Sequence, residues 1–234
     1  MPPDVGVVVV AAGQGHRMGG DTPKQFLPIA GVPLLLHALR PFLSHPAVAR
    51  VVVALPAKVI DSPPQWLAPL LGERLRAVAG GAQRMDSVEA GLTALPPECT
   101  IVLVHDGVRP FPDPRVIDLI IGEARRGAGA VAAVPVTDTL KEAERRTFGA
   151  RQRIARTLPR DGLWRAQTPQ GFPRLMLEAA YADARSLEVD ATDCASLVER
   201  IGGEVVLIPD AATNLKVTTP GDLLLARAVV EAGG

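Results

Sequence analysis

Short apolar runs alternate along this chain with stretches of helical periodicity. The first run, Val5 to Ala11, is almost unbroken valine, the pattern of a strand buried on both faces of a parallel sheet. Further strands are predicted at 49–55, 75–79, 100–105, 129–136 and 204–208. Helices are predicted at 33–43, 65–71, 84–94, 114–126, 173–184, 193–201 and 220–231. Alternation of this kind builds βα units joined by crossover helices, so the expected class is α/β with a largely parallel sheet. One stretch departs from it. Residues 137–160 are polar and arginine-rich, with little core-facing period. A long segment without its own core usually packs on something else, here the active site or a second subunit; the alternative is a solvated hairpin. The chain reads as one domain, 1–234, with this arm inserted in it.

Composition narrows the class. The 234 residues, 47% hydrophobic, suffice for a large core. No apolar stretch is long enough to span a bilayer, and the N-terminus runs into a strand with no signal pattern, so the expected compartment is the cytoplasm. A formal net charge of +0 gives no global field for nucleic acid or an anionic membrane, and neither is expected as a partner. Cys99 and Cys194 are too few for a disulfide framework, and no Cys/His spacing suggests zinc. Any anion site must be local.

Such a site follows the first strand. The loop Gly13-Gln14-Gly15-His16-Arg17-Met18-Gly19-Gly20 leads through Asp21 and Thr22 to Pro23-Lys24-Gln25. Glycines let backbone N–H groups approach a phosphate closely, and Arg17 and Lys24 supply fixed cations. A dinucleotide fingerprint counted from Gly13 would need glycine where Met18 stands, and the acidic residue expected after the second strand is missing. A P-loop counted from Gly15 reaches Gly20 but then shows Asp21-Thr22 instead of Lys-Ser/Thr. The loop therefore suits a polyphosphate while matching neither common signature.

Three other clusters carry candidate chemistry. Val104-His105-Asp106-Gly107-Val108-Arg109-Pro110 ends a buried strand in a carboxylate, at the sheet edge where α/β ligands bind. Beside a phosphate site, Asp106 would need a cation such as Mg²⁺; alternatively it caps the turn through Gly107. Gly80-Gly81-Ala82-Gln83-Arg84 opens a helix whose free N–H groups can read a base edge or phosphate, unless it is an ordinary loop with Arg84 at the surface. Lys216, in Asn214-Leu215-Lys216-Val217-Thr218, either meets a second anion or is solvated at a strand edge. On the arm, Thr139 and Lys141 with Asp138, and Arg156 with Arg160, suit a phosphomonoester. Thr192-Asp193 reads as a helix cap. Ser87 has no identifiable base partner, which argues against serine hydrolase chemistry.

In this order the clusters resemble the 2-C-methyl-D-erythritol 4-phosphate cytidylyltransferase family over nearly the whole chain. The matching motifs are Ala-Ala-Gly-x-Gly-x-Arg-Met at 11–18, Pro-Lys-Gln at 23–25 and Gly-Gly-x-x-Arg-x-x-Ser-Val at 80–88. They continue with Val-His-Asp-x-x-Arg-Pro at 104–110, Pro-Val-x-Asp-Thr-x-Lys at 135–141 and Arg-x-Gly-Leu-Trp at 160–164. Thr-Pro-Gln at 168–170, Thr-Asp at 192–193 and Asn-x-Lys-Val-Thr at 214–218 complete the set. The resemblance implies a Rossmann-like nucleotidyltransferase fold, a mostly parallel twisted sheet flanked by helices with a protruding arm. It also implies Mg²⁺ dependence, a homodimer built through the arm, and a step of non-mevalonate isoprenoid synthesis joining CTP to 2-C-methyl-D-erythritol 4-phosphate as a CDP-alcohol with release of pyrophosphate.

By position, the resemblance makes Arg17 and Lys24 the catalytic pair at the α-phosphate. Ala11, Ala12, Gly13, Gly15, Gly81, Ala82, Ser87 and Asp106 fall to the nucleotide, with Asp106 also toward the metal. Arg109, Thr139, Arg160 and Lys216 fall to the acceptor, some across the dimer. Two departures stand out: Gly107-Val108 replaces the family's usual Ala-Ala, and Ala82 stands where polar residues are common. The nearest alternative is the same chemistry on another acceptor, such as ribitol 5-phosphate.

Overall fold

Successive residues of a strand point to opposite faces, and β1 (Val5–Val10) carries valine on both. Val7 and Val9 pack into one core cluster and Val8 into another, all fully buried. The computed structural model describes residues 2–13, 23–144 and 151–233. In it β1 lies between two parallel neighbours, β4 (Val48–Leu55) and β6 (Ile101–Asp106), with β5 (Leu75–Ala79) outside β4. On the other side of β6 come β10 (Trp164–Pro173), β7 (Gly129–Pro135) and β11 (Val205–Pro209), giving the order β11-β7-β10-β6-β1-β4-β5. The sheet is mostly parallel, and β10 alone runs antiparallel to its neighbours.

One face is covered by α1 (Leu34–Ser44) and α4 (Pro114–Arg125), whose Leu39, Ile117 and Ile120 pack on Val7, Val51 and Leu103. The other face carries α3 (Arg84–Ala94), α5 (Arg174–Ser186) and α6 (Cys194–Arg200), with Val88, Leu177 and Leu197 on Val8, Val52 and Phe172. The closing helix α7 (Pro220–Glu231) starts in a capping box of Thr219 and Asp222. It buries Ala226 against Ile29 and Leu34, near the small hairpin of β2 (Pro28–Ile29) and β3 (Val32–Pro33), and leaves Leu224 and Leu225 exposed.

The structure adds to the sequence expectation the short helix α2 (Ala57–Ile60) and the β2–β3 hairpin, and two longer segments depart from it for clear reasons. The segment 65–71 forms only a 3₁₀ turn at Ala68–Leu70, because Pro69 in its middle lacks the amide a longer helix would need. Strand β10 carries no alternating or continuous apolar signal, yet occupies the middle of the sheet. Its register breaks between Ala166 and Gln170, and Pro169, which lacks an N–H, falls inside that break. The described part of the arm is an antiparallel ribbon, β8 (Leu140–Ala143) with β9 (Ile154–Leu158), largely exposed and without a core of its own, as the polar composition implies.

Candidate active site

The carboxyl ends of β1 and β6 and the first turn of α3 open onto a cavity of about 520 Å³. Ala11, Ala12 and Gly13 line it where β1 ends; Gly81, Ala82 and Ser87 line it beside α3. Lys24, Asp106 and Lys216 complete the wall. Nine of the positions singled out from sequence thus share one concavity. Arg17 and Gly15 lie outside the described residues.

Local chemistry explains the shape. Gln25 is buried in the 3₁₀ turn Lys24–Phe26, and its Nε2 donates to the Ala11 and Gly13 carbonyls at 2.6 and 3.2 Å. It pins that turn to the exit of β1, and Lys24 beside it lines the cavity. Gly80 is glycine for steric reasons: a Cβ there would sit 2.3 Å from Ala12 Cβ and 2.7 Å from Ser87 Oγ. The two walls approach this closely only without a side chain. A capping box between Gln83 and Asp86 fixes the first turn of α3, whose positive dipole end faces the cavity.

Asp106 is the electrostatic centre. Lys216 Nζ lies 2.8 Å from Oδ2, Arg84 Nε 3.5 Å from Oδ1 and Arg109 Nε 3.7 Å from Oδ2. Burial alone would push this carboxyl up. Lys216, Arg84 and Arg109 outweigh it and hold the group well below the usual carboxylate range. Three cations around one carboxylate leave net positive charge, so the cluster holds its charges in place without a ligand and still favours an anion. Burial lowers the Arg109 guanidinium's own pKa, and Asp106 opposes that effect. Arg109 Nη1 donates to the Asn214 carbonyl at 2.7 Å.

A buried polar network supports the carboxylate from behind. The Asp106 amide donates to Thr168 Oγ1 at 3.0 Å, and that hydroxyl lies 3.0 Å from His105 Nδ1. His105 Nε2 is 2.9 Å from the Arg109 carbonyl, which makes it the donor nitrogen and Nδ1 the acceptor. Asn214 donates to the Thr168 carbonyl at 2.8 Å and to Asp210 at 2.6 Å. The end of β6, the middle of β10 and the Asn214–Thr218 segment are thereby joined around the carboxylate.

Among the described residues no group of three or more His, Cys, Asp or Glu is arranged to hold a metal ion. Asp106 already faces three cations, so it suits Mg²⁺ only together with the negative charge of bound phosphates, the ion commonly taking one carboxylate with phosphate oxygens and water. Arg84 and Gln25 also line the cavity, and sequence reasoning left both outside its site. Arg84 is only partly exposed and faces Asp106, where an ordinary surface loop was the alternative. The signal was available, since both residues fall inside the matched motifs at 80–88 and 23–25.

The acceptor positions divide. Lys216 lines the cavity, and Arg109 opens onto an adjoining cavity of about 1020 Å³ that also reaches Lys216, Arg165 and Leu225. Thr139 and Arg160 stand exposed at the base of the arm, where the Arg160 guanidinium donates to the Thr137 carbonyl, and neither lines the cavity of its own chain. Asp193 caps α6 by accepting from the Ser196 amide at 3.0 Å, as its motif suggested.

A family model described as IspD, 2-C-methyl-D-erythritol 4-phosphate cytidylyltransferase, matches residues 5–232. The enzyme of that name from Frankia casuarinae is 42% identical over 229 residues, covering 97% of this chain and 82% of the relative. Its counterpart from Syntrophus aciditrophicus is 39% identical over 237 residues, covering 99% and 97%. The crystal structure of the Thermus thermophilus enzyme superposes with a TM-score of 0.80 at 36% identity, covering 97% of this chain and 99% of that one. With the fold, the cavity and the motifs in agreement, this chain belongs to the 2-C-methyl-D-erythritol 4-phosphate cytidylyltransferase family.

Proposed function

We propose that this chain joins CTP and 2-C-methyl-D-erythritol 4-phosphate to give 4-diphosphocytidyl-2-C-methyl-D-erythritol and pyrophosphate, the nucleotide binding in the cavity at the end of β1. The observation that carries the reading is the convergence of Lys24, the Gly80–Ser87 turn and the Asp106 cluster on one cavity. The match over residues 5–232 favours this acceptor over ribitol 5-phosphate.

The mechanism follows from charge. A phosphate oxygen of the acceptor attacks the α-phosphorus in line, a new P–O bond forms, and the bond to the β-phosphate breaks with pyrophosphate leaving. Two anions must be held together while charge builds on the α-phosphate oxygens. Lys24, and Arg17 by its place in the motif, neutralise that charge from fixed positions, so no covalent enzyme intermediate is required. Ala11, Ala12, Gly13, Gly15, Gly81, Ala82 and Ser87 orient the nucleotide. Asp106 would hold Mg²⁺, which supplies further charge neutralisation when bound.

Lys216 and Arg109 hold the acceptor phosphate, joined by Thr139 and Arg160 from the arm of a second copy. Supporting that homodimer, both arm residues lie outside their own chain's cavity, and Ile154 on the arm is 62% exposed. The cytoplasm is the proposed compartment; among the described residues no helix is long and apolar enough to cross a membrane. The test is pyrophosphate release with Mg²⁺, each nucleoside triphosphate in turn, and either sugar-alcohol phosphate. Release with CTP and the methylerythritol phosphate is expected; faster release with ribitol 5-phosphate would reassign the acceptor.

A further inference from the structure

Arg84 is held from two sides. Its Nε faces Asp106 Oδ1, and its Nη1 donates to Cys194 Sγ at 3.4 Å. The Tyr181 hydroxyl lies 3.3 Å from the same sulphur, and Cys194 and Tyr181 are both buried. Cys194 is the first residue of α6, and that turn is itself fixed. Gln170 Oε1 accepts from the Cys194 and Ala195 amides at 3.1 and 3.3 Å, while its Nε2 donates to Asp193 Oδ2 at 2.8 Å. The Thr168–Gln170 and Thr192–Asp193 motifs do not line the cavity, yet Gln170 and Asp193 meet at the first turn of α6, which carries the sulphur behind Arg84.

A guanidinium has more N–H donors than these contacts use, and Arg84 lines the cavity alongside Gly81, Ala82 and Ser87. Arginine side chains are rotamer-rich, so one fixed before the ligand arrives loses less freedom on binding. We propose that Cys194 is a positioning residue for the nucleotide: its sulphur, braced by Tyr181, aims the Arg84 guanidinium into the cavity. The proposal rests on the assignment of this cavity to CTP. A thiol that merely fills the seam between α5 and α6 would affect stability and leave the kinetics alone.

The test is steady-state kinetics of Cys194→Ala, Cys194→Ser, Arg84→Ala and the double Arg84→Ala/Cys194→Ala, beside thermal unfolding. Cys194→Ala is expected to raise KM for CTP about tenfold, the size of one charge-assisted hydrogen bond, with kcat and the acceptor KM within about twofold. Cys194→Ser keeps an acceptor atom and recovers most of the loss. In the Arg84→Ala background, Cys194→Ala adds nothing further. Should Cys194→Ala fold poorly, Tyr181→Phe removes only the brace and is expected to raise the same KM by about two- to threefold.

A lowered Tm with an unchanged CTP KM overturns the positioning role, as does an equal effect of Cys194→Ala with and without Arg84. If Arg84→Ala raises the CTP KM in either case, the cavity assignment survives and only the role of Cys194 fails. If Arg84→Ala and Lys24→Ala both leave CTP binding unchanged, the cavity assignment falls and this proposal with it.

Discussion

The buried His105 ring makes stability depend on pH in a window above that of the carboxylates. The ring is fully buried, 5.0 Å from Phe42 between centroids, with both nitrogens engaged by Thr168 and Arg109. Burial outweighs the Arg109 carbonyl and the Asp106 charge, and pushes its pKa down to about 4. An unfolded histidine titrates near 6.5. Above that value both states are neutral and stability is flat. Between it and about 4 the unfolded chain binds a proton that the native state refuses, so stability falls as pH falls. The whole gap is worth about 3 kcal/mol, of which about 2 kcal/mol is lost by about pH 5. Urea unfolding between about pH 7.5 and 5 measures the loss. NMR of ¹³C-labelled histidine follows the ring directly and should find it neutral throughout that range. A native-state midpoint near 6.5 for His105, or unfolding free energies flat to about pH 5, would refute the argument.

Three substitutions probe the cavity. Lys24→Ala should lower kcat by about 10²–10³, about 3–4 kcal/mol of transition-state stabilisation, in pyrophosphate release at saturating CTP; near-normal turnover would remove it from the α-phosphate. Arg160→Ala should raise KM for the acceptor with little change for CTP. Mixing these chains with Lys24→Ala chains should restore activity only if Arg160 serves its partner's cavity, and equal losses for both substrates would take it out of the acceptor site. Gly80→Ala places a methyl within 2.3 Å of Ala12 Cβ, so it should cost about 1–3 kcal/mol in unfolding and weaken CTP protection against unfolding; an unchanged Tm would show that the turn can yield.

The fold was legible where burial imposes a repeating signal. β1, β4 and β6 are buried on both faces, and a short valine-rich run bounded by turn residues suits little besides such a strand. β10 was not legible for the opposite reason. Its polar residues Gln167, Thr168 and Gln170 are buried, but they hydrogen-bond to Asn214, His105 and the first turn of α6 rather than packing as hydrophobes. A strand whose task is to hold the site together through polar contacts looks, in sequence, like a loop.

The site shows the same division between charge visible in sequence and charge visible only in space. Asp106 and Arg109 share one motif and Lys216 stands in another; a turn cap would account for Asp106 and a solvated side chain for Lys216, and a net charge of +0 offered no pointer. Folding brings Lys216 from a distant segment to within 2.8 Å of Asp106, and Arg84 arrives from the start of α3 at 3.5 Å. One buried carboxylate then screens cations that would otherwise repel one another, and the surrounding network fixes its backbone amide through Thr168. An anionic substrate entering this cavity meets groups already oriented, so little reorganisation remains for the reaction step. That pre-set geometry is a property of contacts between segments far apart in the chain, which is why motif spacing could nominate the residues while leaving their arrangement unread.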